Sequence, residues 1–173
     1  MIIWLASYPK SGNTWLRSII SSLVYTEDGL FSFELLNKIP QFPSQKYFKE
    51  FTNDFTNIHE IKKLWIAAQN KINLDNKIKF FKTHQINCKI DGFNFTNKLN
   101  TLATIYIVRD PRSLVNSISN HYDKSIEDAK EFLITPKTQG SSKSIHNLKT
   151  GQVVTLIGNW SENYKFWKQN NEN

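Results

Sequence analysis

The sequence predicts an α/β fold of three layers, a parallel sheet flanked by helices. Three observations point there. Short apolar runs alternate with amphipathic stretches of helical spacing, the pattern of parallel strands joined by crossover helices. Residues 102–108 are apolar and β-branched, as a strand buried on both faces of such a sheet must be. Three strand exits carry Lys10, His84 and Arg109, and open α/β sheets bind ligands beyond the carboxyl ends of their strands.

Each element has a local reason. Residues 1–6 are the first apolar run. Tyr8-Pro9 ends it, because the residue before proline is pushed to extended geometry, and Gly12 lets the chain turn. From 14 to about 25, Trp15, Leu16, Ile19, Ile20, Leu23 and Val24 recur at helical spacing, with Asn13 or Ser11 as the cap. Glu27-Asp28-Gly29 stops this helix, and 33–39 is a short helical piece that Pro40 ends. Residues 41–57 are aromatic-rich and interrupted by Pro43. The aromatics of 42–55 belong either to the core or to an apolar pocket. Residues 58–71 form a helix with Ile58, Ile61, Leu64, Trp65 and Ala68 on one face.

Residues 79–84 are a short strand and its exit; 92–100 read as a loop. After the strand at 102–108, Asp110 is an N-cap with Pro111 at the first helical position, and the helix runs to about Tyr122. Another helix covers 125–134. Residues 135–150 are rich in Lys, Ser, Thr and Gly and read as a mobile loop. Residues 153–169 read as one final helix carrying Leu156, Ile157, Trp160, Tyr164 and Trp167. There is no internal repeat or linker, so 1–173 is expected to be a single domain.

Composition narrows the function classes. The 173 residues are 39% hydrophobic and 13% aromatic, which suits a packed core and excludes a disordered chain. A net charge of +7 favours anionic partners. Lys and Arg are scattered, with no basic run, so nucleic acid is not expected. The lone Cys88 forbids an intramolecular disulfide and fits a reducing compartment. The first residues lack a signal-peptide pattern and no stretch is apolar for long enough to span a membrane, so a cytoplasmic protein is expected.

The chemistry concentrates in the string Tyr8-Pro9-Lys10-Ser11-Gly12-Asn13-Thr14-Trp15. A strand, a tight loop and a helix N-terminus point several N–H groups at one spot, with the helix dipole and Lys10 adding positive charge. That is a socket for phosphate or sulfate. The nucleoside-triphosphate loop G-x-x-x-x-G-K-[ST] does not fit, since Lys10 precedes Gly12 and no second glycine stands upstream.

The string instead resembles the 5′-phosphosulfate loop of the cytosolic-type sulfotransferases, which move a sulfuryl group from 3′-phosphoadenosine 5′-phosphosulfate (PAPS) to a hydroxyl or amine. Phe81-Lys82-Thr83-His84 resembles that family's K-T-H segment, which makes His84 the expected general base and Lys82 a charge stabiliser on the same side of the strand. In Tyr106–Ser119, Arg109 is followed eight residues later by Ser117, the spacing of the family's 3′-phosphate site. An Arg fork suits bidentate phosphate contact, and Ser113 and Ser117 share a helix face. The resemblance implies that Lys10 stabilises the leaving phosphate, that Ser11, Gly12, Asn13, Thr14 and Trp15 hold the 5′-phosphate, and that no metal is needed. Trp15 either packs beside the cofactor or joins the core with Ile19.

Arg112, His59, His121 and His146 are expected to be solvated or structural. Trp160 and Trp167 resemble a late W-x-x-x-x-x-x-W helix of the family, a spacing that suits core. After that helix the family has a further strand and an R-K-G loop that nothing here matches, so the expected fold is a C-terminally shortened, P-loop-like sulfotransferase, with a sheet edge left open. The expected activity is transfer from PAPS to a small-molecule acceptor of unread identity. The alternatives are a non-catalytic module that binds a phosphorylated nucleotide and, below it, a small-molecule kinase. The oligomeric state is not legible.

Overall fold

The computed structural model describes residues 1–140 and 151–169. Residue His146 and the 141–150 part of the expected loop lie outside them. The centre is a three-stranded parallel sheet of order β2-β1-β5, built from β1 (Ile2–Ser7), β2 (Lys79–Thr83) and β5 (Thr101–Ile107). Helices α1 (Asn13–Tyr25), α3 (Ile58–Ile72), α4 (Pro111–Tyr122), α5 (Ile126–Ile134) and α6 (Trp160–Gln169) flank it, with a short 3-10 turn at Phe33–Lys38 and a single-turn helix α2 at Gln45–Phe48. The predicted fold class stands.

One face of the sheet makes the main core. Trp4, fully buried on β1, sits against Phe42, Phe81, Phe95 and Trp167 with ring centroids 5.4–6.5 Å apart. Such rings interlock edge-to-face or tilted, which adds to the gain from their buried area. Phe42 and Phe48 are therefore core, as one of the two sequence readings held. Trp65 and Trp167 join them, while Trp160 packs in a second cluster around Tyr8, Leu114 and Ile157.

The sheet's two edges differ. The outer side of β2 is covered by the segment 40–42, where the Lys82 N–H donates to the Pro40 carbonyl and the Phe42 N–H donates to the Lys82 carbonyl, both at 2.9 Å. Both backbone groups of Lys82 are thus held by that segment. Contrary to its reading as a strand buried on both faces, β5 is an edge strand on which Leu102 and Ile105 are exposed. Its apolar pattern reflects one covered face and one open one.

Three further readings are corrected. Residues 153–169 are not one helix. Val153 and Val154 are buried, Thr155–Gly158 forms β7 against β6 (Lys137–Gln139), and only then does α6 begin. Gly158 at φ +66 turns the chain, and a reciprocal capping box starts the helix: the Glu162 N–H donates to Asn159 Oδ1 (2.8 Å) and the Asn159 N–H to Glu162 Oε2 (2.9 Å). The β-branched run and the N-x-x-E spacing were the overlooked signals. Strand β6 likewise occupies part of the expected loop at 135–150. The loop read at 92–100 contains half of a small hairpin, β3 (Lys89–Ile90) with β4 (Phe93–Asn94). Finally, α1 turns much of its apolar face outward: Trp15, Ile19, Leu23 and Val24 are exposed.

Candidate active site

The carboxyl ends of β1 and β2 and the N-terminus of α1 open into one cavity of about 1530 Å³. Lys10, Gly12, Asn13, Thr14, Trp15, Lys82, His84 and Ser117 all line it. Ser11 lies just beneath, buried. Arg109 does not line the cavity; its Nη1 donates to the Lys10 carbonyl at 3.4 Å. The exits of β1 and β2 picked out in the sequence therefore share one cavity, and the exit of β5 touches the loop from outside it.

The loop is held in an unusual backbone shape. Lys10 has φ +68 and Gly12 φ +103, both left-handed. For lysine that conformation is strained, and strain of this kind persists where surrounding structure enforces it. The enforcement is visible. Asn13 Nδ2 donates to the Leu5 carbonyl (2.8 Å) and to Ser7 Oγ (3.1 Å), and Tyr8 Oη donates to the Phe132 carbonyl (2.9 Å). Neither Asn13 nor Ser11 caps α1; Gly12 takes the N-cap position with no side-chain bond, while the Asn13 Nδ2 group tethers the loop to β1 and its Oδ1 stays without a partner.

The result is an open helix end. The N–H groups of Gly12, Asn13, Thr14 and Trp15 find no protein acceptor among the described residues, as the first turn of a helix leaves them unless something caps it. The buried Ser11 hydroxyl also has no partner. Lys10 and Arg109 have no carboxylate partner among the described residues. Unsatisfied donors beside unpaired cations suit an anionic group.

His84 is set by its neighbours. Its Nδ1 lies 2.7 Å from the Ser7 carbonyl. A carbonyl can only accept, so Nδ1 carries the proton and Nε2 keeps the lone pair. Burial first, then the Lys82 ammonium, push the imidazole pKa down to about 3, against the smaller opposing effect of the Ser7 bond. The ring is neutral at physiological pH, the form a base requires. Lys82 is itself pushed down to about 8, by burial and then by the Arg17 guanidinium; its Nζ donates to Gln41 Oε1 at 3.3 Å. Arg17 donates to the Leu36 carbonyl at 2.6 Å. The site is a cluster of like charges.

Sequence reasoning missed Asn163, in the first turn of α6. It is fully buried. Its Nδ2 donates to the His84 carbonyl (3.0 Å) and the Ile157 carbonyl (2.8 Å), and its Oδ1 accepts from Tyr106 Oη (2.7 Å). One amide thus ties the β2 exit to β5 and β7. No local pattern marks such a residue. His121, expected to be solvated or structural, lines the cavity. Arg112, as expected, is solvated: it pairs with Asp110 at 2.5 Å, and its side-chain and backbone bonds hold the Asp110 carboxyl down to about 2. His59 lies 3.2 Å from the Lys62 ammonium, away from this cavity.

The family model for the sulfotransferase domain matches residues 2–173. The chain therefore belongs to the sulfotransferase family. No individually curated protein matches it. Among the described residues no helix is long and apolar enough to cross a membrane.

Proposed function

We propose that this protein transfers the sulfuryl group of PAPS to a hydroxyl of a small-molecule acceptor. PAPS supplies an activated sulfuryl group on a phosphate leaving group. The loop N–H groups from Gly12 to Trp15, with the Ser11 hydroxyl, hold the 5′-phosphate. Arg109 and Ser117 take the 3′-phosphate. His84 Nε2 accepts the acceptor's hydroxyl proton as the new O–S bond forms, and the S–O bond to the 5′-phosphate breaks. Lys10 stabilises the negative charge left on that phosphate oxygen, and Lys82 the charge on the transferring group. This is electrostatic preorganisation, commonly the largest catalytic effect.

A pKa of about 3 makes His84 a weak base when surrounded only by cations. Bound anions reverse that: opposite charges within a few ångströms favour the protonated ring. The base is thereby strengthened when the donor is present, while the free site keeps its imidazole neutral.

The observation that carries the reading is the Nδ1–Ser7 bond, which leaves Nε2 as the lone-pair nitrogen in a cavity shared with Lys10 and Lys82. The test is His84→Ala. Sulfuryl transfer should fall ~10²–10⁴-fold while binding of 3′,5′-adenosine diphosphate is kept. Unchanged turnover would remove His84 from the mechanism. Preference for ATP with Mg²⁺ over the 3′-phosphorylated nucleotide would point to a kinase instead.

A further inference from the structure

A second cavity opens at the other end of β2. Its volume is about 540 Å³, within the ~300–1,000 Å³ typical of small-molecule sites. Lys79 and Phe80 at the start of the strand, Pro40, and residues of α2 and α3 enclose it. None of its lining residues lines the larger cavity. The chain itself divides the two: Pro40 and Phe81 line this one, and their next neighbours, Gln41 and Lys82, line the other.

Three features of this cavity point to one kind of ligand. The first is an aromatic wall on an aliphatic floor. Tyr47 and Phe81 meet edge-on with ring centroids 5.4 Å apart, and Ala68 and Ile72 of α3 lie beside them. The second is charge. Lys38, Lys46, Lys71 and Lys79 line the cavity with a single carboxylate, Glu50. Lys71 pairs with Glu50, and Lys79 pairs with Asp75 at 2.7 Å. Lys38 and Lys46 have no carboxylate partner among the described residues. The Lys46 ammonium sits 4.7 Å from the centroid of the Tyr47 ring, a contact that attracts the cation without cancelling its charge. Two positive charges are therefore left over. The third feature is a pair of phenols. Tyr8 Oη donates to the Phe132 carbonyl (2.9 Å) and Tyr106 Oη to Asn163 Oδ1 (2.7 Å), as half-buried tyrosines usually do. The hydroxyls of Tyr25 and Tyr47, both lining this cavity, make no hydrogen bond among the described residues. Burial raises the pKa of each, so both remain O–H donors.

We infer that this cavity binds a small aromatic anion, a carboxylate or sulfonate carried on one or two rings. The rings lie against Tyr47, Phe81 and the α3 floor. The anionic group takes the Lys38 and Lys46 ammonium groups and accepts from the Tyr25 and Tyr47 hydroxyls, bonds that charge strengthens. A neutral ring would leave the two cations unanswered, and an anion without a ring would leave the aromatic wall uncovered. The inference does not depend on the transfer reading, since the two cavities share no residue.

The experiment titrates the full chain by calorimetry, with 3′,5′-adenosine diphosphate in excess to occupy the larger cavity. The probes are naphthalene-2-carboxylate and naphthalene-2-sulfonate, with neutral 2-naphthalenemethanol and the ringless acetate and methanesulfonate beside them. At least one naphthalene acid should bind at one site per chain, about tenfold or more tighter than the neutral ring and than either ringless anion; the better of the two acids identifies the anionic group. Lys38→Glu with Lys46→Glu, both at exposed positions, should weaken the acid at least tenfold. The same pair should leave 2-naphthalenemethanol and 3′,5′-adenosine diphosphate unchanged. Tyr47→Phe keeps the ring and should cost the acid several-fold, which provides a second variant should the double charge reversal disturb the fold. Equal affinity for the acids and the neutral ring overturns the inference. So does acid binding that the two glutamates leave intact, or that excess 3′,5′-adenosine diphosphate abolishes.

Discussion

Two strand–turn–helix units build this site, and they solve the same problem in opposite ways. The turn from β1 to α1 leaves its helix end open: Gly12 at the cap, no side-chain bond, four N–H groups unsatisfied by the described protein. The turn from β5 to α4 closes its own: Asp110 accepts from the Arg112 N–H, Pro111 removes one donor, and Arg112 neutralises the carboxylate. On the proposed reading, the first unit contributes backbone to an anion; the second contributes only side chains, Arg109 and Ser117. A helix N-terminus is an anion site when nothing in the chain has already claimed it.

That contrast predicts unequal responses to substitution. Lys10→Ala acts on the open unit, where charge develops, and should lower kcat ~10²–10³-fold. Steady-state kinetics with saturating donor check it; an effect confined to KM would contradict a role in the transition state. Arg109→Ala acts on the closed unit, and should weaken the 3′-phosphorylated nucleotide about tenfold or more, the typical worth of a charge-assisted bond. The 3′-dephospho form should lose little, and equal losses for both would break the assignment.

Asn163→Ala should relax the grip on the His84 backbone by removing one buried amide and orphaning three partners, at a cost of about 1–3 kcal/mol in stability. Denaturant unfolding reads it, and kcat should fall while nucleotide affinity holds. Smallest is Asp110→Ala, which removes a cap and an exposed ion pair with Arg112 and should lower Tm by about 2–4 °C with the 5′-phosphate contacts unaffected. A large loss of nucleotide binding there would erase the distinction between the two turns.

The charges also give a pH signature. The folded pKa of His84, about 3, lies below its ordinary value of 6.5. The stability that comes from keeping the ring neutral is therefore fully present above about 6.5 and is lost as pH falls toward 3. NMR of the free protein should show this ring unprotonated from pH 8 down to 5, and added 3′,5′-adenosine diphosphate should move its titration upward. Lys82 runs the other way for function: above about pH 8 it loses its charge, so donor affinity should decline across that range.

Much of this site was legible in the chain because it is local. A proline, a glycine and a lysine in eight residues specify a loop before a helix, and alternation along a strand puts Lys82 and His84 on one side. Asp110-Pro111 marks its helix start by the same kind of short-range chemistry. What failed was also instructive. The final segment has aromatics that fit the helical period, but β-branched Thr155 and Ile157 prefer a pleated surface once β6 offers a partner. Helix α1 looked like a core helix, yet its apolar arc faces a cavity. Periodicity reports that a face is apolar, not what covers it.

The sequence alone determined the tight loop between β1 and α1, the three strands of the central sheet, and the identity of the cationic and imidazole groups, since each depends on neighbours within a few residues. Only the tertiary structure decided which nitrogen of His84 is free, how far burial and the neighbouring ammonium lower its pKa, that Asn163 clamps its backbone, and that Phe33 shares a cavity with it. Those properties arise from groups tens of residues apart meeting in a low-dielectric space. The distances and burial that fix them do not exist until the chain has folded.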